Sequence, residues 1–349
     1  MSLAPHHPQR SRALLMLLLA TLLWGLSFPV GKALVFLNER LAPGAGGWFV
    51  TAMTVAPRFV LATVVLAAWL ALRGGGLRDF TRLELKQGVV IGLFAALGML
   101  FQFDGLQFTA ASTSAFLTQL YAILIPLYVA VRARRNPGGR VWLSCVLVLA
   151  GVAILGQFNW TELRFGRGEA ETLLASVFFM GQILWLERPE FAGNRPERLT
   201  LVMFATESAA FLGLAGATAP SAGALLVPWL SGPWLGLTLA LTVFCTLGAF
   251  LLMNTWQPRI TATEAGLIYC VEPIFGSLMA LFLPAWFSVL AAITYANETA
   301  TWTLLLGGGL ITAANVLIQL KPLAKPAASP AVARVEAAEP AVMQVLERR

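Results

Sequence analysis

Charge is what this sequence has least of. Only 12% of its 349 residues are Asp, Glu, Lys or Arg, about half the share in an ordinary soluble domain. A water-soluble protein of this size needs a polar surface, and so few charges cannot supply one. Histidine is nearly missing. His6 and His7, both at the N-terminal end, are the only two, which removes most metal sites and imidazole-based catalysis from consideration. The three cysteines, Cys145, Cys245 and Cys270, all lie inside apolar segments and read as small packing residues rather than disulfide or metal partners. The nucleotide-binding pattern G-x-x-x-x-G-K-[ST] is absent, so no ATP site of that kind is expected. The net charge of +7 does not point to nucleic acid, because the basic residues fall between apolar runs and not on one domain face. No cofactor and no metal are expected.

What the sequence has in quantity is apolar length: 58% of its residues are hydrophobic. A helix crosses a bilayer with roughly 20 such residues in a row. About ten runs qualify: 13–34, 49–72, 85–106, 110–131, 141–157, 170–186, 199–218, 234–255, 263–284 and 301–320. The first does not read as a cleaved signal peptide, because its apolar character continues through Phe28 and no A-x-A site closes it. The expected fold is an all-α membrane protein of about ten transmembrane helices, with the lipid bilayer as its solvent. Ala285–Ala296 is apolar but too short to cross, and reads as interfacial or re-entrant. The stretch 321–349, rich in Ala, Pro and mixed charges, reads as a disordered tail.

Orientation follows from the basic residues. Of the 24 Lys and Arg, 19 fall on the side of the two termini, four fall on the other side, and Arg58 lies within a span. Both termini are therefore expected in the cytoplasm, with 1–12 as a short N-terminal tail. The sequons at Asn159 and Asn297 fall in external loops and read as incidental.

A shift of 151 residues places Ala111-Ser112 on Ala262-Thr263, and Leu120-Tyr121-Ala122 on Val271-Glu272-Pro273. Each segment belongs to the fourth span of its half. Five spans per half is an odd number, so the second half would enter the membrane with opposite orientation. Two inverted five-helix repeats, 13–157 and 168–320, are the expected domain organisation, an arrangement many secondary transporters use for alternating access.

Specific stretches carry a family likeness. They are Leu23-Trp24-Gly25-Leu26-Ser27-Phe28, Arg58-Phe59, Ala110 through Thr118, Leu120-Tyr121 and Pro126. In the second half they continue with Gly168-Glu169, Gln257, Thr263, Ala265, Leu267-Ile268, Glu272-Pro273 and Gly307. In this order and spacing the chain resembles the drug/metabolite transporter superfamily, in its EamA-like branch. Asn297 stands where that branch usually has Gly. The resemblance implies ten spans, a central cavity between the halves, and export or exchange of small metabolites, often amino acids, across a bacterial inner membrane.

Ionisable groups inside a span are costly and usually face a cavity or a partner. At 1.5 Å per residue, Arg58 lies roughly 14 Å from one end of its span, Glu272 roughly 14 Å and Glu207 roughly 12 Å from the ends of theirs. All three sit near the midplane, and depth alone allows Arg58 to pair with either acid. A paired carboxylate would stay ionised and tie helices together. An unpaired one in low dielectric can take up a proton, which makes the proton the candidate coupling ion. Trp24, Tyr121 and Tyr269 are candidates to line an amphipathic pocket, and Thr118, Gln182 and Asn254 carry polar groups that are expensive to face lipid. As a set they suit a small polar or aromatic solute. The rival readings are a membrane-embedded enzyme, which would need a clustered catalytic set at one membrane face, and a non-transporting receptor or scaffold.

Overall fold

The computed structural model describes residues 8–73, 79–132, 134, 136, 138–155, 166–186, 188–260, 265 and 268–319. Among these there are helices and turns and no strand. The helices are α1 (Pro8–Leu41), α2 (Gly47–Leu72), α3 (Arg82–Gly105), α4 (Ala111–Thr118), α5 (Tyr121–Arg132), α6 (Gly139–Leu155) and α7 (Arg167–Leu186). They continue with α8 (Pro196–Thr218), α9 (Ala222–Leu226), α10 (Gly232–Ala240), α11 (Ala249–Trp256), α12 (Glu272–Ala280), α13 (Leu283–Ala291) and α14 (Trp302–Gln319).

Among the described residues seven helical stretches are long and apolar enough to cross a membrane: Arg10–Leu41, Gly47–Leu72, Arg82–Gly105, Ala111–Arg132, Arg167–Leu186, Pro196–Thr218 and Gly232–Arg259. The α12–α13 pair passes the same test as one unit, bent by 55°, and α6 and α14 are shorter apolar helices. Val64, Leu149, Val289 and Leu305 are each more than half exposed. A belt of such residues would aggregate in water and belongs against lipid. The chain is an all-α membrane protein.

Several elements differ from the expected spans. Helix α1 begins at Pro8, inside the stretch read as a tail, and runs on to Leu41 rather than ending at residue 34. At 34 residues it is roughly 50 Å long, well beyond the ~30 Å hydrocarbon core. Its polar far end is tolerated because neighbours satisfy it: Asn38 donates to Thr54 Oγ1 at 2.9 Å and accepts from Trp234 Nε1 at 2.8 Å. The apolar run 110–131 is two helices, α4 and α5, with a turn at Gln119-Leu120. The run 263–284 is likewise interrupted. A turn at Cys270-Val271 precedes α12, and the chain bends again before α13, where Pro284 occupies the first turn. The expected interfacial stretch beginning at Ala285 therefore lies mostly in α13. Between α10 and α11 the helix widens into a π-helical turn, Leu241–Gly248. Asn159, Arg164 and the tail 321–349 lie outside the described residues.

Helix α1 packs against α12, α11 and the π turn; α2 packs on α8, α3 on α7 and α8, α6 on α14, and α4 on α7 and α12. Polar clasps close both ends. At the end read as cytoplasmic, Thr81 and Glu84 form a capping box on α3, with bonds of 3.0 and 2.8 Å. Glu84 also accepts from Arg195 Nε at 3.1 Å, tying α3 to the start of α8. At the opposite end, Glu298 accepts from the Ala111 amide at 2.8 Å and from the Ser112 hydroxyl, capping α4. There too Lys32 donates to the Thr109 carbonyl, and Arg167 pairs with Asp104.

Candidate functional site

The two helix interruptions meet. Ser and Thr side chains compete with the helix for backbone acceptors, and α4 is dense in them: Ser112, Thr113, Ser114 and Thr118, whose hydroxyl bonds the Ser114 carbonyl at 2.8 Å. The helix stops there, and Gln119 closes it. On the other side, Pro273 sits in the first turn of α12, where its missing N–H costs nothing. The proline thus starts a helix instead of kinking one. Across the junction Gln119 Nε2 donates to Glu272 Oε2 at 3.0 Å. Helix α1 can approach because residue 25 is glycine. A Cβ there would stand 2.8 Å from Phe275 Cβ and 2.9 Å from the Gly276 nitrogen.

Beside this junction lies a cavity with about 80 Å³ of room for the centres of water-sized molecules. That holds roughly six waters, a liquid volume of order 180 Å³, which is the bulk of one small metabolite. Six of the nine expected site residues line it: Trp24, Thr118, Tyr121, Gln182, Tyr269 and Glu272. Trp24 meets Phe250 edge-on at 5.5 Å and Tyr269 at 5.6 Å. Tyr269 donates its hydroxyl to Gln257 at 2.8 Å, and Gln102 donates to Thr118 Oγ1 at 3.0 Å. Gln182 points its amide at the Met203 sulfur, 3.9 Å away.

The other three expected residues are not in the lining. Asn254 is buried and donates to Thr200 Oγ1 at 2.8 Å, joining α11 to α8. Arg58 and Glu207 are completely buried where α2 packs on α8. Thr63 and Ser208, on the same two helices, approach to 3.1 Å, whereas Glu272 sits with Gln119. Arg58 Nη2 donates to Met99 Sδ at 3.4 Å, and the guanidinium lies 4.8 Å from the Phe59 ring and 5.2 Å from that of Phe103. Its Nε and Nη1, and both carboxylate oxygens of Glu207, have no hydrogen-bond partner. Arg58 therefore sits behind the Met99 wall of the cavity, with no hydrogen bond between it and Glu207.

Gln102 is a further polar group of the lining, of the kind that is expensive to face lipid, but the apolar lining escaped the sequence reading. Phe28, Met99, Phe179, Ile183, Phe250 and Met253 are apolar, and hydropathy cannot tell an apolar residue facing a cavity from one facing lipid. Gln119 was visible as a polar group but not as the partner of Glu272. The available signal was the 151-residue shift, which places Gln119-Leu120 on Cys270-Val271.

The sequence profile of the EamA-like transporter family matches residues 11–157. Over these residues the chain is similar to the EamA-like transporter family. The EamA-like segment covers α1 to α6 and so supplies Trp24, Thr118, Tyr121 and Gln119. The match marks the chain as a membrane transporter of the drug/metabolite type. An uncharacterized transporter of Archaeoglobus fulgidus is 24% identical over 311 residues, covering 87% of this chain and 85% of its own. A protein of known crystal structure aligns over 91% of this chain and 100% of its own, at 20% identity with a TM-score of 0.57. At that identity the likeness concerns the fold.

Proposed function

We propose that this EamA-like protein is a secondary transporter that moves small amphipathic metabolites, amino acids or solutes like them, by alternating access, in export or exchange. The observation that carries this reading is the cavity at the meeting point of two interrupted helices. It combines aromatic walls, amide and hydroxyl groups, and the buried carboxyl of Glu272. Broken helices are the usual place for a transporter to expose backbone to a bound solute. The two halves, 13–157 and 168–320, are proposed as inverted repeats. Two observations support this: the turns at Gln119-Leu120 and Cys270-Val271 are 151 residues apart, the same shift as the sequence repeat, and the two helices so interrupted, α4 and α12, pack on one another. The proposed setting is the inner membrane with both termini cytoplasmic, and the proposed coupling ion is the proton, carried by Glu272.

Purified protein in proteoliposomes, loaded with a panel of amino acids and related amines, tests the proposal. Saturable movement of at least one solute, altered by an imposed pH gradient, is the expected result. A leak-free preparation of folded protein that moves none of them would refute transport; movement indifferent to pH would refute proton coupling alone.

A further inference from the structure

One of the fourteen residues lining the cavity carries a formal charge, and it is an acid. Among the described lining residues there is no Lys, Arg or His. The buried cation Arg58 lies behind Met99, on the face of α2 that packs against α8 and its Glu207. Lys32, further along α1, lies roughly 12 Å from Trp24 along the helix axis and is engaged by the Thr109 carbonyl. Glu272 has a neutral amide, Gln119, as its partner. A carboxylate at membrane depth without a cation is expensive, and an arriving positive charge restores the balance.

The walls have the same preference. Trp24, Phe250 and Tyr269 present rings packed edge to face, and ring faces attract cations, tryptophan most strongly. An anion here would lose its water, find no cation and stand beside Glu272. Trp24 Nε1 is a buried donor with no partner, able to serve one neutral oxygen of a solute. Resting on the reading of the cavity as a solute site, we infer that it selects organic cations: a small amphipathic solute with an ammonium group and no anionic group. This narrows the solute class, since a free α-amino acid carries a carboxylate that nothing in the lining would pair.

The probe is labelled benzyltrimethylammonium, whose charge is fixed, bound at equilibrium to the full chain in detergent. The competitors are 3-phenylpropionate (anion), phenylalanine (zwitterion) and benzyl alcohol (neutral). Saturable binding is expected, displaced by the unlabelled cation and at least about tenfold less well by the other three. Glu272→Gln should weaken binding about tenfold or more, while Glu272→Asp retains much of it. Trp24→Leu should lose more than Trp24→Phe. Thermal melting identifies which variants are folded, and the paired substitutions keep the test open if one is not. No saturable binding by the wild type, displacement by the anion or zwitterion equal to the cation's, or wild-type binding by folded Glu272→Gln would each overturn the inference. Transport is read separately in proteoliposomes. A cation that binds but is never moved leaves the selectivity standing and refutes the transporter. Anions moved in preference to cations do the reverse.

Discussion

If Arg58 and Glu207 balance one another, removing one should hurt more than removing both. Each is fully buried, one on α2 and one on α8. Replacing Glu207 by Leu leaves the guanidinium alone among Phe59, Phe103 and Met99, and replacing Arg58 by Met leaves the carboxylate alone. Breaking a buried pair typically costs about 3–5 kcal/mol. No hydrogen bond joins these two, so about 3 kcal/mol, the lower end, is expected for each single variant. In a chain of this length that lowers the melting temperature by roughly 4 °C. The double variant Arg58→Met with Glu207→Leu removes both desolvated charges and should recover most of the loss, because buried pairs replaced by apolar side chains are often neutral or better. The assay is thermal unfolding in one detergent, with Glu272→Leu as the control acid. Arg58→Met should not rescue Glu272→Leu. A double variant as damaged as the worse single one, or an equal rescue of the Glu272 variant, would refute the pairing.

Gly25→Ala should destabilise by about 1–3 kcal/mol through overpacking against α12 and weaken solute binding, whereas Gly236→Ala, whose Cβ would meet no atom within 4 Å, should melt like wild type. Thr81→Ala and Glu84→Ala should each cost about 1–2 kcal/mol by dissolving the α3 cap. Combining them should cost less than their sum, except for the share of Glu84 that binds Arg195, and a fully additive double variant would contradict the reciprocal box. Cysteines placed in the 132–140 loop should react only with reagent on the cytoplasmic side, and ones near Arg164 only from outside; the reverse pattern would sink the proposed orientation.

Fold class was legible without coordinates because lipid imposes a length rule on every span. The place of Arg58, Glu207 and Glu272 along their spans was legible from the constant rise per residue of a helix. Which acid faces Arg58 was not. Depth fixes position along the helix axis, but pairing depends on how each helix is rotated about its axis, and that is set by packing between α2 and α8, far apart in the chain. The interruption at Gln119-Leu120 was hidden inside a continuous apolar run, since hydropathy measures what a segment avoids and not whether its hydrogen bonds continue. Pro273 announced a disturbance, but only the tertiary arrangement made it the start of α12, brought that start against Gln119, and left a space between them that Trp24 and Tyr269 wall in. Composition decided that this chain lives in a bilayer. The contact of two interrupted helices, distant in sequence and adjacent in space, decided where the chain leaves a cavity.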